Sequence, residues 1–344
     1  GVQPPSGGPG GPGPGPGAGR IAPGRILMQF SVVIPLYNKA PYIEATIASV
    51  LAQTCQDFEI VVVDDGSSDA GPQLVAAIGD PRIRLLRQPN GGVSRARNTG
   101  IQAAVGDLVC FLDADDWYGR HYLACIAAMA ARHPGPAMYA TAYQRVGEGE
   151  PAQLDGEAGA LPPASPIENF YEYRHRHGPF FFTSSVVIPR RELQAMQPCF
   201  PVGEQFGEDQ DVWFRVAERL PLIFNPARLV AYRIGVADSL SVLHGLRELP
   251  PLFARLEQRA RNGTVPAPMR RAALRIVADA RLAVARYALI QGRRRTALAA
   301  LRDAARDGRS RRWWVTAALC LFANGGMVQH WEMWRSKHKR AASD

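Results

Sequence analysis

The fold of this chain is decided by "FSVVIPLYNKAPYIEATIASVLAQTCQDFEIVVVDDGSSD", residues 30–69. Residues 30–37 are mostly apolar and β-branched, and such a run predicts a buried strand. Apolar residues then recur at helical spacing through residues 40–53, with Pro41 in the first turn. Residues 58–67 form a second β-branched run that leads into a polar turn. A strand, a helix and another strand in this order predict a parallel βαβ unit.

The same alternation continues towards the C-terminus. Further strands are predicted at residues 82–88, 107–115, 179–189 and 227–234, and further helices at residues 92–105 and 207–220. Residues 144–166 are rich in Gly, Pro, Glu and Ala, and we expect a surface excursion there. The predicted fold class is therefore α/β, with a Rossmann-like, mostly parallel sheet sandwiched by helices and followed by a C-terminal helical region.

Composition divides the chain into three regions. The first twenty residues are almost wholly Gly, Pro and small polar residues, which predicts a disordered leader over residues 1–27 without the apolar core of a signal peptide. We expect Met28 to lie near the natural start and the leader to be an added remnant. Residues 28–241 are predicted to form the α/β domain, and residues 242–344 a basic helical region. Hydrophobic residues make up 47% of the 344 residues, which suffices for a sizeable core.

The cysteines are scattered and show no Cys-x-x-Cys spacing. The chain has five of them: Cys55, Cys110, Cys125, Cys199 and Cys320. An odd number without a metal-ligand spacing indicates neither a disulfide framework nor a zinc site, and it fits a reducing cytosol.

Positive charge is concentrated in the last third of the chain. Residues 236–344 carry 21 Lys and Arg against 8 Asp and Glu, a net charge of +13, whereas the whole chain carries +9. Two Ala/Leu/Arg helices within residues 267–307, followed by Gly292 and Gly308, predict an αα-hairpin. Residues 313–323 are apolar, but this run is too short to span a bilayer unaided.

The tryptophans of this tail allow two interpretations. They are Trp313, Trp314, Trp331 and Trp334, and they lie between two clusters of basic residues. They suit a helix at the surface of an anionic membrane, with the rings at headgroup depth. They equally suit a helix that packs on the αα-hairpin, and the sequence does not choose between the two.

Acidic and polar residues follow three of the predicted strands. The first strand ends in "PLYN" (35–38), the second in "DDGS" (64–67) and the fourth in "DADD" (113–116). Ligands bind at the carboxyl ends of parallel strands, so these segments are expected to line one crevice. Asp113 and Asp115 can both face that crevice, whereas Asp116 is expected to begin the next turn. Since Mg²⁺ or Mn²⁺ takes carboxylates together with phosphate oxygens, the pattern suggests a metal–diphosphate site.

Three segments resemble the family 2 glycosyltransferases, which are inverting enzymes of GT-A fold. They are residues 30–69 as quoted above, "NGGVSRARNTGIQAAVGDLVCFLDADD" (90–116) and "GEDQDVWFRVAE" (207–218). The resemblance covers roughly residues 28–241. It implies transfer of a sugar from a nucleotide-diphosphate donor, with UDP as the expected nucleotide.

The resemblance also implies roles for individual residues. The implied metal ligand is Asp115, and the implied general base is Asp209. Glu208 and Asp211 are implied to support the base or to lie on the acceptor side. The candidate nucleotide-sugar contacts are Pro35, Tyr37, Asp64, Asp65, Arg95, Arg97 and Asp113. Other readings of single residues stay open. Pro35 and Tyr37 also suit packing at a strand end, at least one of Arg95 and Arg97 suits an exposed helical arginine, and Asp209 suits a helix N-cap.

The sequence departs from relatives in this family at two places. The processive polysaccharide synthases carry a Gln-x-x-Arg-Trp signature and several membrane spans, and neither occurs here, which favours transfer of single sugars. Many members have a His soon after a "YR" strand, but here the first His after Tyr232–Arg233 is His244. Whether a His completes the metal shell stays open.

The resemblance sets the remaining expectations. The expected cofactor is Mn²⁺ or Mg²⁺, and the expected acceptor is a glycan or a lipid-linked glycan of the cell envelope. A cytoplasmic location is expected, with a peripheral position on the inner face of the cytoplasmic membrane as an option. A nucleotidyltransferase is the alternative enzyme, but "PLYNKAPYI" (35–43) lacks its Gly-rich loop. A nucleic-acid-binding protein with a basic C-terminus would leave the acidic crevice unexplained, and we expect no nucleic-acid partner.

Overall fold

The computed structural model describes Gly1 and residues 29–147, 149–156, 160–204, 206–235, 248–323 and 325–331. The predicted leader, the boundary at residues 241/242, His244 and Trp334 therefore lie outside the described residues. The division into three regions stays a prediction.

The described residues include nine strands and eleven α-helices, and residues 325–331 are helical as well. The strands are β1 (Phe30–Leu36), β2 (Phe58–Asp64), β3 (Ile83–Arg87), β4 (Leu108–Phe111), β5 (Trp117–Tyr118), β6 (Met138–Val146), β7 (Ser165–Ile167), β8 (Val186–Pro189) and β9 (Leu222–Arg233). The helices are α1 (Ala40–Leu51), α2 (Gly71–Ala77), α3 (Val93–Ala103), α4 (Tyr122–Arg132), α5 (Phe170–His177), α6 (Arg190–Gln194), α7 (Glu208–Ala217), α8 (Pro251–Arg261), α9 (Ala267–Ile290), α10 (Arg294–Ala304) and α11 (Arg311–Phe322). A short 3₁₀ helix, Thr183–Ser185, precedes β8.

All nine strands belong to one sheet. Its order is β3-β2-β1-β4-β8-β6-β9-β5, and β7 pairs with β9. β3, β2, β1 and β4 are parallel, and β6 and β9 are parallel to each other, whereas β8 runs antiparallel to both β4 and β6. The predicted mostly parallel sheet is confirmed. Because β1, β2 and β4 are parallel neighbours, their carboxyl ends meet at the same edge.

Alternating residues of the central strands enter two separate cores. Val32 and Ile34 of β1 join a core with α1 and α4, whereas Val33 joins a core with α3 and α7. Residues of β1 and β2 are therefore buried on both faces, which explains their nearly continuous apolar sequence. Each fully buried Val or Ile contributes about 1.5–3 kcal/mol relative to an exposed one.

The second half of the sheet differs from the sequence-based prediction. β8 begins only at Val186, and β9 begins at Leu222, five residues earlier than predicted. The sequence predicts no strand at β6, and the first residues of the excursion predicted at 144–166 belong to this strand. β6 runs to Val146 beside β9, with register shifts around Thr141 and Ala142. Irregular register and mixed strand directions interrupt the period of two on which a strand prediction depends.

The C-terminal helices are not all alike in their packing. Leu252 and Leu256 of α8 and Ala273 of α9 lie in the same core as α7. The second half of α9 packs with α10 and α11 in a third core. Gly292, between α9 and α10, has φ +71°, a conformation that glycine adopts without strain. No helix in the described part of the chain is long and apolar enough to cross a membrane.

Thiol chemistry gives a check on this packing. All five cysteines are free; Cys110, Cys125, Cys199 and Cys320 are buried, and Cys55 is partly exposed. Burial raises the pKa of Cys125 to about 11 and that of Cys199 to about 12, and buried thiols of raised pKa react slowly. We therefore expect one thiol to react rapidly with a disulfide reagent at pH 8 in the native protein, and five in denaturant. The Cys55→Ser variant should lose the fast reaction, and two or more fast thiols in the native protein would contradict this packing.

Candidate active site

The strand-end residues do gather at one edge of the sheet. Leu36 of β1 pairs with Asp64 of β2, and Val33 of β1 pairs with Phe111 of β4, two residues before Asp113. Pro35 is partly buried within β1. Tyr37 follows β1 and is half exposed, so its ring is accessible to a ligand in the crevice.

The two neighbouring aspartates after β2 have different surroundings. Asp65 is buried and accepts hydrogen bonds from Gln88 Nε2 (2.6 Å), Gly91 N (3.0 Å) and Gly92 N (2.7 Å). These bonds hold the turn that leads into α3. Asp64 accepts one bond, from Ser67 N at 2.9 Å, so one of its carboxylate oxygens has no hydrogen-bond partner among the described residues. Of the pair, Asp64 is the residue that can still contact a ligand.

The two candidate arginines of α3 are also unlike each other. Arg95 is exposed, whereas Arg97 is buried. Arg97 Nη1 donates to Glu208 Oε1 at 3.0 Å and Arg97 Nη2 donates to Asp113 Oδ1 at 2.8 Å. Burial lowers the pKa of Arg97, but Asp113 and Glu208 more than offset this, so its pKa lies above the ordinary value. Arg97 therefore links the β4 end of the crevice to the start of α7.

The carboxylates that follow β4 differ in their contacts: Asp115 is partly exposed, whereas Asp116 is bonded within the protein. Asp115 Oδ2 forms an ion pair with Lys39 Nζ at 2.8 Å. Asp116 is fully buried; it accepts from Ser184 Oγ at 2.6 Å and from Arg233 N at 3.0 Å. Burial raises the pKa of Asp116 well above its usual value, and the charges of Asp113 and Asp115 add to this. Asp116 does more than begin a turn, because it ties β9 and the 3₁₀ helix to the crevice.

Asp209 lies in the first turn of α7. Its Oδ2 accepts a hydrogen bond from Thr183 Oγ1 at 2.9 Å. The adjacent Glu208 is buried, and its pKa is raised by burial and by the charge of Asp209, although Arg97 opposes the shift. A partly buried arginine of α5, Arg174, lines the same small cavity as Asp209. Asp209 is thus a partly exposed carboxylate at the wall of a cavity, where it can accept a proton.

Asp211 has a structural environment. It is buried and accepts from Arg215 Nε at 2.9 Å and from Arg255 Nε at 3.1 Å, and Arg259 Nη1 lies 3.8 Å away. These contacts join α7 to α8. They favour the supporting role over the acceptor-side role for this residue.

The residues fit a divalent cation only together with a ligand. In the described ranges no group of three or more His, Cys, Asp or Glu side chains is placed to hold a metal ion. Asp113 and Asp115 each use one oxygen in an ion pair, with Arg97 and Lys39 respectively. The second oxygen of each has no hydrogen-bond partner among the described residues. Two carboxylates are what Mg²⁺ takes from a protein when phosphates and waters fill its other positions, so the donor set fits a cation bound with a diphosphate.

Sequence reasoning missed several residues of this site. Four further residues contact or line it: Lys39 from the loop before α1, Thr183 and Ser184 from the 3₁₀ helix, and Arg174 from α5. Lys39 directly follows "PLYN", a position that could have drawn attention to it. Thr183, Ser184 and Arg174 lie about 60–70 residues from "DADD" in the chain and carry no local signal.

Comparison with known proteins shows which proteins this chain is similar to. Residues 31–190, a little under half of the chain, match the model of glycosyl transferase family 2. The glycosyltransferase EpsJ of Bacillus subtilis is 32% identical over 203 residues, which cover 56% of this chain and 58% of EpsJ. The glycosyltransferase GlyG of Streptococcus pneumoniae is 32% identical over 155 residues, which cover 44% of this chain and 42% of GlyG. The chain thus spans about half the length of these curated relatives.

A solved structure shows the fold. The fragment 1–349 of TarS from S. aureus, crystallised with UDP-GlcNAc, superposes with a TM-score of 0.63 at 17% identity, over 91% of this chain and 92% of the fragment. The fold is therefore GT-A, with additional C-terminal helices. Both the resemblance seen in the sequence and the expected fold class are confirmed.

Proposed function

We propose that this protein is an inverting, non-processive glycosyltransferase that moves a sugar from a UDP-sugar donor to a glycan or a lipid-linked acceptor. The observation that carries this proposal is that one buried arginine, Arg97, donates hydrogen bonds to carboxylates on both sides of the crevice. Arg97 connects Asp113, which follows β4, to Glu208, which lies next to Asp209. A donor side and a base side are thereby held in one crevice, as a single displacement requires.

The donor side consists of the strand ends. Tyr37 and Asp64 contact the nucleoside. The ring of Tyr37 is half exposed, and one carboxylate oxygen of Asp64 has no hydrogen-bond partner among the described residues. Asp113 contacts the nucleotide-sugar, and Asp115 would hold the metal. Arg95 is exposed next to the turn at Gly91 and can approach the phosphates. The complex of TarS with UDP-GlcNAc supports a UDP-linked donor, since the two chains share the fold over most of their lengths.

The base is Asp209. It takes the proton of the acceptor hydroxyl while the acceptor oxygen forms a bond to the anomeric carbon. The bond from that carbon to the diphosphate oxygen breaks on the opposite face, and its electron pair leaves with the nucleoside diphosphate. The configuration inverts, and no covalent sugar–protein intermediate forms. The hydrogen bond from Thr183 Oγ1 orients the carboxylate for this transfer.

A divalent cation, Mn²⁺ or Mg²⁺, would be held by Asp115 together with the donor diphosphate. It would supply positive charge that stabilises the leaving group. Lys39 Nζ lies 2.8 Å from Asp115 Oδ2 and would interact with the same phosphates. The protein residues otherwise orient the donor and keep Asp209 in place.

A panel of nucleotide sugars tests the proposal. Each donor is offered with Mn²⁺, and the release of the nucleoside diphosphate to water is measured, since transferases of this kind hydrolyse their donor slowly without an acceptor. We expect one UDP-sugar to be hydrolysed by the wild-type protein and not by the Asp115→Asn variant. If no donor is hydrolysed, or if the variant matches the wild type, the proposed activity is wrong.

A membrane surface is the proposed location of the acceptor. Trp313 Nε1 donates to Leu301 O at 2.9 Å and therefore packs on α10, whereas Trp314, Leu321 and Phe322 of α11 are 57%, 62% and 82% exposed. Arg309 lies over the Trp313 and Trp314 rings. An exposed apolar helix face beside arginines suits the headgroup layer of an anionic bilayer.

Vesicle flotation tests this surface. We expect binding to vesicles that contain phosphatidylglycerol, weaker binding at high salt, and a several-fold loss in the double variant Trp314→Ser/Phe322→Ser. Val202→Ser is the matched control, because Val202 is 58% exposed and lies outside α11. Equal binding of the double variant and the wild type would contradict the proposal.

A further inference from the structure

A small cavity next to Asp209 has an aromatic wall and one cationic side chain. Its volume is about 110 Å³. Tyr143, Phe180 and Phe182 form part of the wall, and Arg174 and Gln210 lie at its polar end beside Asp209. The rings pack tightly, with 4.6 Å between the centroids of Tyr143 and Phe182 and 4.9 Å between those of Phe180 and Phe181. Apolar walls with a few placed polar groups are typical of sites for small ligands.

Arg174 is partly buried, and its contacts differ from those of Arg97 and Arg259. Arg97 donates directly to the buried Glu208, and Arg259 donates directly to Glu218, whose side chain is buried. Arg174 makes one hydrogen bond, from Nη2 to the neutral Gln210 Oε1 at 3.1 Å, and it has no carboxylate within ion-pair distance in the part of the chain that the structure describes. Burial lowers the pKa of Arg174, and the charges of Asp209 and Tyr143 offset this only in part.

A guanidinium in such a place is costly without an anionic partner. Its free N–H groups form a planar fork that matches carboxylate or phosphate oxygens. Asp209 lines the same cavity, and it already accepts hydrogen bonds from the Thr183 hydroxyl and from the Gln210 backbone N–H. The pocket therefore holds a cation, an aromatic surface and the proposed base. No carboxylate among the described residues lies within ion-pair distance of the cation.

We propose that this cavity is an acceptor subsite and that Arg174 binds an oxyanion, a phosphate or a carboxylate, carried by the acceptor glycan. The bound oxyanion places a neighbouring hydroxyl of the acceptor at Asp209, and the aromatic side chains contact the apolar face of the sugar ring. The inference rests on the proposed function, because Asp209 is the base of that function. It adds a substrate class: acidic or phosphorylated saccharides rather than neutral ones.

Ligand-observed NMR on the full chain, saturated with UDP and the diamagnetic Mg²⁺, tests this inference. The probes are N-acetylglucosamine 6-phosphate, glucuronic acid and uncharged N-acetylglucosamine. We expect the wild-type protein to bind at least one of the two anionic sugars and to bind it more tightly than the uncharged sugar. The Arg174→Gln variant should bind that anionic sugar about ten- to a hundred-fold more weakly, and Arg174→Lys should retain part of the affinity because it keeps the charge.

Arg176→Gln is the matched control, because Arg176 lies on the same helix, has a side chain 68% exposed and pairs with Glu172. It should bind all three sugars as the wild type does. Unchanged thermal unfolding of Arg174→Gln shows that the fold is intact. Three results would overturn the inference. The wild-type protein binds charged and uncharged sugars with comparable affinity, it binds none of the three sugars, or Arg174→Gln binds the anionic sugar as tightly as the wild type does. Binding of UDP is recorded in the same samples, so its loss refutes the proposed function, whereas UDP binding without anion preference refutes the acceptor subsite alone.

Discussion

Replacement of Asp209 by Asn is expected to lower kcat about 10³-fold while the donor still binds normally. A positioned general base contributes roughly 10²- to 10⁴-fold to a rate, and Asn has the same shape but cannot accept the acceptor proton. Its amide oxygen can still accept from Thr183 Oγ1, as Asp209 Oδ2 does, so the loop should stay in place. The measurements are nucleoside diphosphate release during turnover and donor affinity by calorimetry.

Asp211→Asn provides the contrast for this experiment. It removes a carboxylate from the same helix and leaves the Arg215 and Arg255 guanidinium groups without that charged partner. We expect a lower melting temperature with kcat close to wild type. A kcat of Asp209→Asn within threefold of the wild type would mean that another group accepts the proton.

Replacement of Arg97 by Met is expected to destabilise the fold by about 3–5 kcal/mol, because it leaves a buried carboxylate without its cation. Glu208 is 7% exposed and receives the Arg97 guanidinium at 3.0 Å. Chemical denaturation at pH 8 measures the loss. Arg95→Met is the matched control: Arg95 lies two residues away on the exposed face of α3, and its loss should change stability by less than about 0.5 kcal/mol.

The cost at Arg97 should depend on pH in a definite direction. Arg97 opposes the burial that raises the pKa of Glu208, so its removal raises the folded-state pKa further above the unfolded value. A group with a raised folded pKa contributes stability at low pH and loses it as pH rises through that pKa. The deficit of Arg97→Met relative to wild type should therefore be smaller at pH 5 than at pH 8. An equal deficit at both values would show that Glu208 is not the group left unpaired.

The sequence predicts the first half of the sheet well and the second half poorly. β1, β2 and β4 are buried on both faces, so their apolar, β-branched sequences can be recognised without knowing which strands they pair with. β6, β8 and β9 depend on mixed directions and on the register shifts near Thr141. Those features arise from pairing between distant segments, which a local pattern does not contain.

The site divides in the same way. Residues at strand ends, such as Asp64 and Asp115, could be placed from topology alone, since parallel strands deliver their ends to one edge. The ion pair of Lys39 with Asp115 and the contact of Thr183 with Asp209 join segments that are far apart in the chain. The burial of Arg97 and the exposure of Arg95 follow from which face of α3 meets the sheet. The short polar segment that contains Arg95 and Arg97 does not show which of the two arginines faces the sheet.

Calorimetric titration of UDP into the wild-type protein, with and without Mn²⁺, tests the donor site at the edge of the sheet. We predict that UDP binds, that Mn²⁺ tightens the binding, and that Asp115→Asn binds at least tenfold more weakly and no longer responds to Mn²⁺. Asp209→Asn should bind UDP as the wild type does. Absence of UDP binding by the wild type, or the same Mn²⁺-dependent affinity in Asp115→Asn, would contradict the assignment of this crevice as a nucleotide-sugar site.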